Sequence, residues 1–130
     1  MIRKSLATAI LVLTVLGVCV TATAENRAIL AVAADGAAAT AQVGTTAARS
    51  PYFLLFDRNG ELLEAVKNPY VAEHRNAGPK VVDFLSARGI HTIVAGEFGA
   101  KMIAAMQQND MAFHTATGPA ADAVMLMKKK

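Results

Sequence analysis

Residues 68–99 read in order as a polar loop, a helix, a buried strand and a glycine turn. That order constrains the fold more than any other stretch. Pro79 suits the first turn of a helix, where no intrahelical bond needs its missing N–H. Val81, Val82, Phe84 and Leu85 supply one apolar face, and Gly89 supplies the stop. Residues 90–96, IHTIVAG, follow as a short apolar strand. Strands separated by a single helix pair in parallel through right-handed crossovers.

The flanking segments complete the pattern. Residues 27–34 are a short apolar run with β-branched Ile29 and Val32, stopped by Asp35-Gly36, and read as a first strand. Residues 37–49, rich in Ala, Thr and Gly with no period, read as a loop. Residues 50–57 (SPYFLLFD) and 61–67 form a predicted hairpin around Arg58-Asn59-Gly60, because Asn-Gly accepts the positive φ of a tight turn. Residues 99–108 predict a second helix, 111–114 a short strand, and Gly118-Pro119 the opening of a last helix through residue 126. The expected fold is α/β: a single mixed sheet with helices packed on it, in the order βββαβαβα. Met102, Met106 and Met111 are spaced as a core stripe, in preference to a copper site.

The first 24 residues stand apart. Arg3 and Lys4, an apolar run over residues 6–20 and the small-x-small site Ala22-Thr23-Ala24 make the three-part pattern of a signal peptide. The expected organisation is a signal peptide at 1–24, one domain at 25–127 and a basic tail at 128–130. Cleavage would leave the protein periplasmic or secreted. An uncleaved anchor is the second reading, since the run approaches spanning length. A lipid on Cys19 is the third, with Val18 a poor preceding residue. Without Arg3 and Lys4, 11 basic residues face 10 acidic ones, and three of the 11 are the terminal lysines. The basic balance of the whole chain therefore argues for no nucleic-acid partner. A membrane would be met only through an uncleaved leader. The one cysteine lies in that leader, so the mature domain is expected to hold no disulfide and offer no thiolate.

The loop before Pro79 sets His74 and Arg75 beside Ala77-Gly78-Pro79-Lys80. An imidazole, a guanidinium and free N–H groups at a helix start suit an anion or an anionic metal cluster. Arg49 and Arg75 could neutralise such a charge, and each alone also reads as a solvated surface arginine. His74 is a candidate metal ligand. His114, ending a strand where loops should gather, is a secondary one, and His91 reads as structural. Enzyme readings lack their residues. Asp35 and Asp57 are the only carboxylates near strand ends, too few for a magnesium nuclease. The chain has no Gly-x-Ser-x-Gly elbow, phosphate loop with lysine, or zinc-spaced Cys/His pair.

The order and spacing of several short motifs resemble the dinitrogenase iron–molybdenum cofactor biosynthesis domain, the NifX-like family. They are Arg49 with Pro51-Tyr52-Phe53 and Asp57, Asn68-Pro69, Ala77-Gly78-Pro79-Lys80, Ala95-Gly96 with Phe98-Gly99, and Thr117-Gly118. The resemblance covers nearly all of the chain after the leader. It implies a ribonuclease-H-like layered fold and a non-catalytic carrier of a metal–sulfur cluster of molybdenum or iron, with protein donors or acceptors of that cluster as partners. It implies cofactor contacts from Arg49, His74, Arg75, Gly78 and Lys80. Ala47-Ala48 stand where the family carries Phe-Gly, which favours a second reading: a small interaction or regulatory domain that keeps the fold and has lost the cofactor. A periplasmic copper binder using His and Met is a third.

Overall fold

The computed structural model describes residues 27–128. The leader, its cleavage site, Cys19 and the last two lysines lie outside the described residues. Strands β1 (Ala28–Ala34), β2 (Tyr52–Asp57), β3 (Leu62–Lys67), β4 (Thr92–Ala95) and β5 (Ala112–Thr115) form one mixed sheet in the order β3-β2-β1-β4-β5. Three helices complete the fold: α1 (Ala77–Ser86), α2 (Ala100–Gln108) and α3 (Ala120–Lys128). The expected βββαβαβα succession and single mixed sheet are present. β1 pairs antiparallel with β2 and parallel with β4, and β4 runs parallel with β5.

The burial of each strand follows its composition. β1 (AILAVAA) and β2 (YFLLFD) are almost continuously apolar and buried on both faces, as central strands must be. β3 (LLEAVK) carries charge, lies at one edge and buries Val66 alone. One face of the sheet packs Ala31, Phe53, Leu55 and Ile93 against Val81, Val82 and Leu85 of α1 and Met102 and Met106 of α2. Each large side chain buried there contributes about 1.5–3 kcal/mol. The opposite face packs Val32, Leu54, Phe56 and Val94 against Ala120, Ala123 and Val124 of α3. The methionine stripe is thus core, with Met102, Met106 and Met111 all buried.

Several local readings change. The segment read as a plain loop contains a 3-10 turn, Ala47–Arg49, and is stitched to β1, to the turn after β4 and to α3. Gly44 N–H donates to Ala33 O and Gly96 N–H to Gly44 O, both at 2.8 Å, while Ala120 N–H donates to Ala41 O at 2.8 Å. Small residues permit this approach: a Cβ on Gly96 would stand 2.7 Å from Thr45 O. Single backbone bridges leave no periodicity, so sequence pattern did not show them. α1 begins at Ala77 and holds Pro79 in its first turn as read, while α3 runs past residue 126 to Lys128. Lys128 is exposed but lies within the helix, and its Nζ donates to Asn59 O at 2.6 Å across the hairpin turn.

The hairpin forms as its sequence predicts. Gly60 has φ +84°, and Asp57 is buried with Oδ1 accepting from the N–H groups of Asn59 (2.8 Å) and Glu61 (3.0 Å). That carboxylate is consumed in holding the turn. In the antiparallel β1/β2 pair Ala28 faces Asp57 and Ala34 faces Tyr52. Asp35 and Asp57 consequently sit at opposite ends of the sheet, and the two cannot share a metal.

Candidate anion site between two helix N-termini

β3, β1, β4 and β5 all point the same way, so residues 35–51, 68–76, 96–99 and 116–119 gather at one edge of the sheet. Ligands of open α/β sheets bind at such a carboxyl edge. A cavity of about 310 Å³ opens there, lined by Thr46, Arg49, Asn76, Gly78, Gly99 and Lys101 among others. It lies between the amino ends of α1 and α2.

Both helix ends are uncapped. Asn76, in the left-handed region at φ 59°, precedes α1, and Gly99 precedes α2; neither helix has a side-chain cap. Lys80 N–H is used by Asn76 O and Ile103 N–H by Gly99 O. The N–H groups of Ala77 and Gly78 on α1, and of Ala100, Lys101 and Met102 on α2, accordingly have no acceptor among the described residues. By contrast, Ala120 and Ala121 at the start of α3 donate to Ala41 O and Ala39 O. The two uncapped ends meet because position 78 is glycine. A Cβ there would lie 2.7 Å from Met102 Cβ and 3.2 Å from Met102 Cα. Two converging helix dipoles and unpaired N–H groups favour an anion.

Arg49 and Lys101 bring positive charge to the same cavity. Lys101 Nζ also reaches Asn76 Oδ1 at 3.5 Å. Arg49 braces the neighbouring loop as well, since its Nη1 donates to Val71 O and Glu73 O and so ties residues 71–73 to the 3-10 turn. Asn68 reinforces that tie. Its buried amide donates to Ala48 O and Ser50 O, each at 2.9 Å, and its Oδ1 accepts from Tyr70 N–H at 2.9 Å.

The sequence-predicted site residues divide. Arg49 and Gly78 line the cavity together. His74, Arg75 and Lys80 do not. His74 and Arg75 are exposed in the loop, and Lys80 pairs with Glu73 at 3.2 Å on an exposed surface. The N–H groups expected after Gly78 are also displaced: Pro79 has none and Lys80's is used within the helix, so α1 supplies those of Ala77 and Gly78. His114 stands in β5 opposite Val94, on the α3 side of the sheet, and borders a different cavity. It shares no cavity with His74. Among the described residues no three His, Cys, Asp or Glu gather as a metal-ligand group. The cavity is thus chemically suited to holding an anion by charge and N–H donation. Sequence reading missed Lys101, Asn76 and Thr46. The signal for Lys101 was present, since it follows the Gly96–Gly99 turn at the second position of its helix.

No curated protein matches the chain. Among solved structures, the fold is similar to the apo form of the orange protein from Desulfovibrio gigas, with TM-score 0.74 and 21% identity over 82% of this chain and 91% of that one. It is also similar to a putative NifB protein from Thermotoga, assigned to the DUF35 family, with TM-score 0.65 and 23% identity over 78% of this chain and 88% of that one. The family model described as dinitrogenase iron-molybdenum cofactor matches residues 28–130. With that match spanning the whole sheet and every helix, the chain belongs to the dinitrogenase iron–molybdenum cofactor (NifX-like) family.

Proposed function

We propose that the protein is a non-catalytic binder and carrier of an anionic metal–sulfur cluster, or of its anionic precursor. The observation that carries this is the pair of uncapped helix N-termini converging on a cavity that also holds Arg49 and Lys101. Family membership supports the same class of cargo. The residues on hand fit a cluster that brings its own sulfur ligands: the cavity offers N–H donors and cations, which hydrogen-bond and neutralise sulfide or oxide edges. The chain binds and orients such a cargo without supplying a thiolate. Copper bound by methionine is not part of the proposal, because Met102, Met106 and Met111 are core.

Three finer elements belong to the proposal. The layering is ribonuclease-H-like. The domain is exported after cleavage before Glu25, for which N-terminal sequencing of the mature protein is the check. His74 and Arg75 approach the cargo from the loop that ends at Asn76, with Lys80 behind them. The reading of a domain that has lost its cofactor rested on Ala47-Ala48. Ala47 is fully buried and its N–H donates to Glu97 O at 3.0 Å, so the departure alters packing under the turn and removes no cation from the cavity.

Tetrathiomolybdate titration, followed by visible absorption, tests the site. Binding should weaken as salt is added, because exposed helix-end and cation terms are each worth only about 0.3–1 kcal/mol and are screened. Arg49→Gln with Lys101→Ala should weaken it at least about tenfold, which corresponds to about 1.4 kcal/mol. His74→Ala decides whether the loop imidazole takes part. Unchanged binding in the Arg49/Lys101 double variant refutes the site.

A further inference from the structure

The two edges of the sheet are built differently. β3, at one edge, carries Glu64 and Lys67, has a register irregularity against β2 at Leu55/Phe56, and has Glu64 engaged by Arg88 at 3.3 Å. Charges and bulges of this kind keep an edge from pairing with another strand. β5, at the other edge, reads Ala112-Phe113-His114-Thr115: no Lys, Arg, Asp, Glu, Pro or Gly, no register irregularity against β4, and all four residues exposed.

The hydrogen-bond register of β5 is also symmetric. Ala112 N–H donates inward to His91 O at 2.9 Å and Ala116 N–H to Ala95 O at 3.0 Å. The two-residue period then turns the N–H and C=O groups of Phe113 and Thr115 outward, on either side of His114. An antiparallel partner needs two outward-facing residues spaced two apart. A second β5 presents the same pair in reverse order, so Phe113 of one copy meets Thr115 of the other twice over. The two-fold axis passes beside His114.

We propose that β5 is a homodimer edge, at which two copies join antiparallel to make one continuous ten-stranded sheet. Both faces of the junction are then filled. His114 lies on the α3 face, and the two imidazoles stand opposite each other across the axis. There they cover a cavity of about 380 Å³ that His114 and Thr115 share with the exposed Leu126 of α3. Phe113 lies on the α1/α2 face, already tilted against Phe98 at 5.2 Å, and is 39% exposed in the single chain. Across the junction it gains its counterpart as a diagonal neighbour, within reach of an aromatic ring. Paired with itself the neutral strand places no like charges together, and its outward pair is self-complementary about His114, which favours a second copy as the occupant. The junction shares no residue with the cavity between α1 and α2, so cargo binding and dimerisation are separable.

Sedimentation equilibrium over a dilution series, on the chain as purified from the expressing cell, tests the proposal. The wild type should show a mass that rises with concentration from one chain towards two. His114→Asp sets two carboxylates opposite each other, and Phe113→Lys charges the edge. Both should hold the mass at one chain with an unchanged circular dichroism spectrum. Thr115→Pro deletes only an outward N–H and should do the same. Leu63→Lys, on the β3 edge, should leave association as in wild type. A wild type of one-chain mass at every concentration overturns the proposal. So does association that survives both His114→Asp and Phe113→Lys, or that is lost in Leu63→Lys.

Discussion

Asn68 is the residue whose loss should do most damage for its size. Its side-chain amide makes three hydrogen bonds inside the protein and is only 6% exposed. Two of them tie it to the carbonyls on either side of Arg49, and the third holds the start of the loop leading to α1. Asn68→Ala deletes all three and leaves the Ser50 carbonyl, on a buried residue, short of a donor. At about 0.5–1.5 kcal/mol net for each bond, and with water replacing part of what is lost, the expected cost is about 2–4 kcal/mol. For a domain near 100 residues that corresponds to a fall in Tm of roughly 10–20 °C. Urea denaturation followed by circular dichroism measures it, with an unchanged m-value showing that the native state has stayed compact. Asn68→Asp sharpens the test. The side chain keeps its shape, but acceptor-only oxygens now face the Ala48 and Ser50 carbonyls, so Asp should cost at least as much as Ala. A loss below about 0.5 kcal/mol for Ala, or an Asp variant as stable as wild type, would refute the argument that donation to those carbonyls holds the edge together.

Two further outcomes follow from the packing. Gly78→Ala should destabilise by about 1–2 kcal/mol even though alanine favours helices, because the new methyl meets Met102 Cβ at 2.7 Å and must push α1 and α2 apart; thermal melts read this, and a stabilised variant would show that the helix ends are not in contact. Arg88→Ala should cost more than Glu64→Ala, because the guanidinium pairs with Glu64 at 3.3 Å and also lies 4.8 Å from the centre of the Phe84 ring. The Arg88/Glu64 coupling in a double-mutant cycle should stay below about 1 kcal/mol, since both side chains are largely solvated.

Much of the succession of elements was legible before folding, because its signals act over a few residues. Asn59-Gly60 makes a turn through its own backbone freedom, Gly89 ends a helix at φ +84°, and the apolar runs of β1 and β2 leave no solvated face. The end of the last helix moved by about two residues where a tertiary contact outweighed those signals. Ala77-Gly78-Pro79 open α1 as read, with Pro79 in its first turn, while the last helix runs past residue 126 to Lys128, whose amine finds the hairpin carbonyl at Asn59.

The candidate site was only half legible. Composition and local pattern determined that one helix starts at a glycine-bearing turn after a polar loop, and that cations lie nearby. They pointed to His74 and Arg75 because those residues are close to Gly78 in sequence, and the family resemblance added Lys80. Tertiary structure drew the lining of the cavity from other segments. Gly78 abuts Met102, and this approach brings the amino end of α2, with Gly99 and Lys101, against that of α1. Arg49 arrives from a turn held by Asn68, while Lys80 is drawn off to Glu73. Sequence specifies each helix end by itself, through short-range sterics and hydrogen bonding. Which two ends face the same cavity depends on the absence of a single Cβ between residues 24 positions apart, and only the packed fold expresses that.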